Sequence, residues 1–361
     1  MEQLTDAMGM LDLMAPPAFC VKDGIIVKVN PSAASCMIEV NTKVAELLQT
    51  GAEEYAAFTD GCLYLNLTVS GQSLGASVTR MADFDVFCLE QNADNAELQA
   101  MALAARELRE PLASVMITAD RLFPISGLED DPTTREQVAR INRGLFQMLR
   151  VIGNMSDANL YCTDNANRQE IRDICAVLDE TFAKAAALVE HTGIRLQYKG
   201  YPEPVYSLTD SEKLERAVLN IISNAIKFTP KNGTIEARLT RRGSKLYLSV
   251  QDSGCGIAEN LRGSVFSRYT RQPGVEDGRF GIGLGMVLIR TAAALHGGAV
   301  LIDQPGGAGT RITMSLAIRQ DTRSQLRSPM LVMDYAGERD HCLIELSDAL
   351  PASLYDPADI N

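Results

Sequence analysis

The stretch LERAVLNIISNAIKFTPKNG, residues 214–233, carries two patterns at once. Apolar residues at 214, 218, 221, 222 and 226 repeat at helical spacing and define one buried stripe. Asn220, Asn224 and Lys227, spaced four and three apart, share a different face of the same helix. An amide oxygen is a suitable hard ligand for Mg²⁺, which keeps several waters and leans on substrate phosphates. A lysine beside it meets phosphate charge. Taken alone this is weak, because Asn and Lys on an exposed face are usually just solvated.

Downstream the chemistry accumulates. A strand over 245–250 runs into Asp252-Ser253-Gly254-Cys255-Gly256-Ile257. A carboxylate at a strand end, followed by two glycines, can accept a hydrogen bond from an exocyclic amine while the backbone closes on a flat base. Further on, Gly281-Ile282-Gly283-Leu284-Gly285-Met286 opens an apolar helix that runs to Leu295. Glycines at a helix start let backbone amides and the helix dipole face phosphates. Three such elements in this order point to a nucleotide site within an α/β stretch over 170–318.

Upstream, Leu98, Met101, Ala105, Leu108, Leu112, Val115, Ala119 and Leu122 alternate spacings of three and four, a heptad seam. After a break over 124–132 the seam resumes at Val138, Ile141, Leu145, Met148, Ile152 and Met155. One helical hairpin has too little core, so pairing into a four-helix bundle, hence a homodimer, is expected. Before it, the runs Ala18–Val21 and Ile25–Val27 flank Lys22-Asp23-Gly24, a hairpin signal, and Asn30-Pro31 opens a helix. Segments near 62–69, 75–80 and 85–90 complete an antiparallel sheet. That order resembles a PAS-type sensor domain, which serves either as a ligand sensor or as a dimerising cap.

The totals agree with an ordinary multidomain globular chain: 361 residues, 46% hydrophobic and 22% charged. A net charge of −12 argues against nucleic acid as the main partner. Eight scattered cysteines without a CxxC pair predict reduced thiols rather than a metal or disulfide framework. No apolar run suits a transmembrane segment, and the acidic start does not suit a signal peptide, so a cytoplasmic protein is expected.

Over residues 98–318 the sequence resembles the GHKL ATPase superfamily, and within it the sensor histidine kinases of two-component systems. NIISNAIKFTP is similar to the family's asparagine box, DSGCGI to its first glycine box, VFSRYTR to its phenylalanine box and GIGLGM to its second glycine box. The resemblance implies ATP and Mg²⁺ as cofactors, with Asn224 on the metal and Asn220 and Lys227 supporting the phosphates. It implies Asp252 as the adenine reader, with Gly254, Gly256, Gly281, Gly283, Leu284 and Gly285 lining the nucleotide. Residues 258–283 would be an ATP lid anchored by Phe266, with Arg268 or Arg271 near the phosphates. The implied fold class is multidomain α+β: a PAS-like domain over 1–95, a dimerising hairpin over 96–165, a GHKL α/β sandwich over 166–320, and a tail over 321–361 of unread role. In that tail Leu331-Val332-Met333 and Cys342-Leu343-Ile344 could add strands or pack against another domain.

Two positions depart from the family. Hydrolytic members place a glutamate base one turn before the magnesium asparagine; here that residue is Asn220, which cannot serve as a base. Arg106-Glu107-Leu108-Arg109-Glu110-Pro111-Leu112 resembles the phosphoacceptor box, with Arg106 where the histidine stands and Glu110 in place of the threonine. A guanidinium has no lone pair with which to attack phosphorus. Glu107 has no imidazole proton to take, and Glu110 would bring a like charge to a partner's phosphoaspartate. A plain structural alternative is an exposed Arg106–Glu110 ion pair at i, i+4. The three histidines, 191, 296 and 341, lie outside the hairpin, and His296 suits a cation at a helix C-terminus. The expected function is an ATP-binding, histidine-kinase-like switch that does not phosphorylate itself and that contacts a response regulator or a partner kinase. The alternatives are a kinase acting on a partner chain's histidine and a slow GHKL ATPase.

Overall fold

The computed structural model describes residues 11–81, 83–90, 94–122, 132–160, 169–258, 265–266, 284–319 and 339–356. The N-terminal unit begins with the hairpin β1 (Ala18–Lys22) and β2 (Ile25–Val29). Asp23 and Gly24 both take positive φ, 51° and 77°, the geometry of a two-residue hairpin turn that matches strand twist. Asn30 then caps α1 (Pro31–Ser35): its Oδ1 accepts from Ala33 N at 2.8 Å and from Ala18 N at 3.0 Å. A short helix α2 (Ala52–Ala57) leads to β3 (Cys62–Val69), β4 (Gln72–Arg80) and β5 (Asp85–Leu89). β4 starts three residues before the expected 75, because Ser70 and Gly71, again at positive φ, form the tight turn. The polar start Gln72-Ser73 gives no apolar alternation to reveal this. Phe19 stacks on Phe87 at 4.9 Å inside this unit.

Two helices of 29 residues follow, α3 (Asp94–Leu122) and α4 (Pro132–Leu160). Their seam divides into two rows. Ala105 and Leu112 on α3 and Val138, Leu145 and Ile152 on α4 are buried, whereas Leu108, Val115 and Leu122, and Ile141 and Met148, are exposed. One helix pair covers one flank of a heptad stripe and leaves the other, at spacing seven, in solvent. The break over 124–131 and the side chain of Leu98 lie outside the described residues.

The C-terminal part is a two-layer α/β sandwich. β6 (Glu170–Asp173) pairs with β8 (Tyr206–Thr209). The main sheet runs β11 (Val300–Asp303), β12 (Arg311–Ala317), β10 (Lys245–Asp252), β9 (Thr234–Arg242) and β7 (Arg195–Lys199), antiparallel except for the last pair. β10 alternates half-buried and buried residues strictly, the period of a strand covered on one side. The covering layer is α5 (Ile174–Glu190), α6 (Ser211–Phe228) and α7 (Gly285–Leu295). Leu214, Val218, Ile221, Ile222 and Ile226 of α6 are all buried, as their spacing predicts. β11 also pairs with β3 of the N-terminal unit, Val300 opposite Tyr64, so one ten-stranded sheet crosses both parts.

The tail returns to the body. Asp340 caps α8 (His341–Glu345), accepting from Leu343 N at 3.1 Å, and a 3-10 turn over Ala352–Tyr355 follows. Cys342, Leu343 and Ile344 are helical, not a strand, and join the main core. Tyr355 is fully buried, with its ring 5.2 Å from Phe146 of α4 and its hydroxyl donating to Leu343 O at 2.7 Å. Residues 331–333 lie outside the described residues.

His296 is no helix-end cation. It is buried, its Nδ1 lies 2.7 Å from Ala292 O and its Nε2 accepts from Asp210 N at 3.2 Å. Burial lowers its pKa, so the neutral ring is the folded form. A base whose folded pKa is depressed destabilises the fold once the unfolded chain takes up a proton it cannot. The stability advantage of the natural chain over His296→Gln should therefore be full above about pH 6.5, the ordinary histidine value, and shrink as pH falls below it. Urea melts of both proteins at pH 7.5 and 5.5 check this; a constant difference would show that His296 does not titrate on unfolding.

Candidate functional site

The functional face of α6 looks toward α4 and the tail. Asn220 is 1% exposed, and its Nδ2 donates to Arg216 O at 2.8 Å and to Glu345 Oε2 at 3.2 Å. Its Oδ1 accepts from Arg150 of α4 at 3.1 Å. Glu345 also takes Arg216 Nε at 2.8 Å and Arg150 Nε at 3.4 Å. Asp348 takes Arg150 at 2.5 Å and Lys227 Nζ at 3.1 Å. Glu345 is 0% exposed and Arg216 1%, so removing one partner leaves a buried charge uncompensated, at a cost of about 3–5 kcal/mol.

Lys227 reflects this setting. Burial pulls its pKa down, the neighbouring Arg150 adds to that, and Asp348 opposes both, leaving it at about 8. Asp348→Asn removes the opposing charge and should lower the Lys227 pKa further. ¹⁵N NMR of the Lys227 ammonium across pH 6–11 reads this directly, and an unchanged or higher value would contradict the Lys227–Asp348 contact.

Asn224 stands one turn further along, half-buried, with Nδ2 3.9 Å from Met286 Sδ. The start of α7 lies close against α6, since a Cβ on Gly285 would sit 3.0 Å from Asn220 Oδ1. Asp252 ends β10 beneath this face. Its Oδ1 accepts from Gly254 N at 2.8 Å and from Thr310 N at 3.2 Å. Burial raises its pKa while those amides and the Thr310 hydroxyl restrain the rise. The backbone turn that delivers Thr310 needs Gly309, at φ +70°, where a Cβ would meet Asp252 O at 2.0 Å. A fixed carboxylate beside a hydroxyl, with a row of amide and ammonium groups above, can read an amine at one end of a ligand and neutralise anions at the other.

The structure sets Gly285 against Asn220, Met286 beside Asn224, and Gly254 against the Phe228 carbonyl at the end of α6. Gly281, Gly283, Arg268 and Arg271, with nearly all of the expected lid, lie outside the described residues. Phe266 is buried; its ring is 5.5 Å from Tyr64 and its carbonyl accepts from Arg290 at 2.9 Å. Arg290 pairs with Glu90 and lies 4.9 Å from the Tyr64 ring, so Phe266 abuts the N-terminal unit. Among the described residues, no cluster of three His, Cys, Asp or Glu side chains suits a metal ion.

Arg106, Glu107 and Glu110 are exposed on α3, and no ion pair joins Arg106 to Glu110 among the described residues. Exposed pairs of this kind gain too little to hold two long side chains together. Met101, about a turn before Arg106, and Met155 pack against Leu284 and Val287 at the start of α7. His191 is exposed at the end of α5, and His341 pairs with Glu215 at 3.3 Å.

Sequence reasoning missed Arg150, Glu345 and Asp348, which reach the site from 195 and 198 residues apart in the chain. It also passed over Thr310 and Arg216. Only Arg216 carried a local signal, lying four residues before Asn220 on the same helical face.

Residues 209–320 match the family described as histidine kinase-, DNA gyrase B-, and HSP90-like ATPase. Over a longer span the chain is 24% identical over 252 residues to the sensor protein KdpD of Clostridium acetobutylicum, covering 67% of this chain and 27% of that protein. It is 29% identical over 283 residues to an uncharacterized sensor-like histidine kinase of Rhizobium meliloti, covering 72% of this chain and 52% of that one. The chain thus spans about a quarter to a half of these curated relatives. Among solved structures, full-length ShkA in complex with AMPPNP aligns with a TM-score of 0.49 at 21% identity, covering 62% of this chain and 46% of that one.

Proposed function

We propose that the chain is a histidine-kinase-like signalling protein whose ATP-binding domain works as a nucleotide-governed switch and which does not phosphorylate itself. The observation that carries this is Arg106, exposed on α3 in the segment that resembles the acceptor box, with no histidine in the sequence of the hairpin. Asn224 would hold Mg²⁺, which would supply positive charge to neutralise the phosphates. Asn220 and Lys227 would meet the phosphates, and Asp252 with Thr310 would accept the adenine amine. Asp252→Asn removes the charge and replaces one carboxylate oxygen with an NH2 donor, and should weaken binding of Mg·ADP at least about tenfold, about 1.4 kcal/mol, by calorimetry. An unchanged affinity would remove Asp252 from the adenine site.

The N-terminal strand order β2-β1-β5-β4-β3 supports the PAS-type reading. The exposed rows on α3 and α4 support a homodimer through a four-helix bundle, each copy covering the other's stripe. Among the described residues, no helix is long and apolar enough to cross a membrane. A response regulator or partner kinase is the proposed target of the switch.

A second reading, phosphoryl transfer to a histidine on another chain, is favoured by the retention of Asn224, Lys227 and Asp252. Purified protein incubated with Mg²⁺ and millimolar γ-labelled ATP, beside Arg106→His, separates these. The expected result is no acid-labile label on the natural chain and label on Arg106→His. Label on the natural chain would overturn the proposal, and label appearing on an added histidine-bearing partner would establish the second reading.

A further inference from the structure

The tail carboxylates stand on the residues proposed for the nucleotide's phosphates. Glu345 Oε2 lies 3.2 Å from Asn220 Nδ2, and Asp348 Oδ2 lies 3.1 Å from Lys227 Nζ. From this we infer that residues 339–356 are an internal phosphate mimic, a C-terminal plug that must leave before a nucleoside triphosphate binds. The inference rests on the nucleotide reading of α6 and adds the regulation of that site.

Charge and burial both point this way. Among the described residues, Glu345 pairs with Arg150 and Arg216, and Asp348 pairs with Arg150 and Lys227, so anions already stand on these cationic groups. Glu345 is 0% exposed and Asp348 8%. Like charges repel strongly where solvent is excluded, so a triphosphate cannot share Asn220 and Lys227 with them. The phosphates would instead take over Asn220 and Lys227 once the two carboxylates are withdrawn.

The plug is fastened mainly to the hairpin. Asn142 Nδ2 donates to Tyr355 O at 3.1 Å, and Arg143 Nε and Gln147 Nε2 donate to Ser347 O at 3.0 and 3.3 Å. Tyr355 packs on Phe146 of the same helix. On the ATP-domain side the polar fastenings are Arg216, Asn220, Lys227 and the His341–Glu215 pair. Moving the ATP domain away from α4 therefore withdraws the carboxylates from α6 while Arg150 keeps both of them. The tail couples nucleotide occupancy to the placement of the ATP domain against the hairpin. Apparent affinity falls by the fraction of molecules with the plug out, so loosening it tightens nucleotide binding.

The test uses the full chain with Mg²⁺ and a non-hydrolysable ATP analogue, read by calorimetry and amide hydrogen exchange. The backbone amides of Ile344 and Leu346, bonded to Asp340 O and Cys342 O, report the plug, and those of β10 report the fold. The analogue should speed exchange at Ile344 and Leu346 and leave β10 unchanged. Tyr355→Ala, which alters no charge and contacts α4 rather than α6, should bind the analogue about tenfold more tightly, and so should Asp348→Asn. Binding by the variants but not by the natural chain would be the same result in stronger form. Binding to the natural chain with Ile344 and Leu346 still protected would overturn the plug and leave the nucleotide site standing. No binding by any of the three proteins would overturn the nucleotide reading, and the plug with it.

Discussion

Arg150 and Arg216 are buried guanidinium groups, and a buried guanidinium must find anions or hydrogen-bond acceptors. Arg150 stands on the second hairpin helix and Arg216 on α6, while Glu345, which answers both, comes from the tail. Three parts of the chain are thereby fastened at one point. Asn154 Oδ1 and Asn220 Oδ1 complete the set by accepting from the same two arginines. The desolvation of such a cluster is offset only when every member is paired, so its members stand or fall together. That is why one face of α6 can be polar and yet almost solvent-free.

A second join lies on the other side of α7. β3 and β11 run side by side, and Arg290 links Glu90, the Tyr64 ring and the carbonyl of Phe266. The N-terminal unit thus touches the segment proposed to anchor an ATP lid, and the tail touches the helix proposed to hold the phosphates. Under the proposed reading, the first unit and the tail would both act on the candidate nucleotide site, through different elements. Coupling of this kind needs contiguous packed groups with two discrete arrangements, and ion pairs that can exchange one anion for another supply such arrangements.

Helix α3 follows a different logic from the α/β sandwich. Arg106 and Glu110 are exposed and unpaired with each other, so neither is explained by a need of the fold. Asn224, Lys227 and Asp252 sit where burial and backbone geometry are demanding, down to a glycine at 309 that admits no Cβ.

What the sequence by itself determined was everything carried by local periodicity and local chemistry. The apolar stripe of α6, the Asp23-Gly24 turn, the Asn30 cap and the placement of Asn220, Asn224, Lys227 and Asp252 all follow from neighbours a few residues apart. The heptad seam was legible too, but not its division into buried and exposed rows, which depends on how many helices surround it. Tertiary structure alone decided the rest. It turned Cys342-Leu343-Ile344 into a helix on the core, made His296 a buried neutral ring, and carried Glu345 and Asp348 onto Asn220 and Lys227. No spacing rule reaches from residue 348 to residue 227, because ion pairing between distant segments is set by where the chain returns in space.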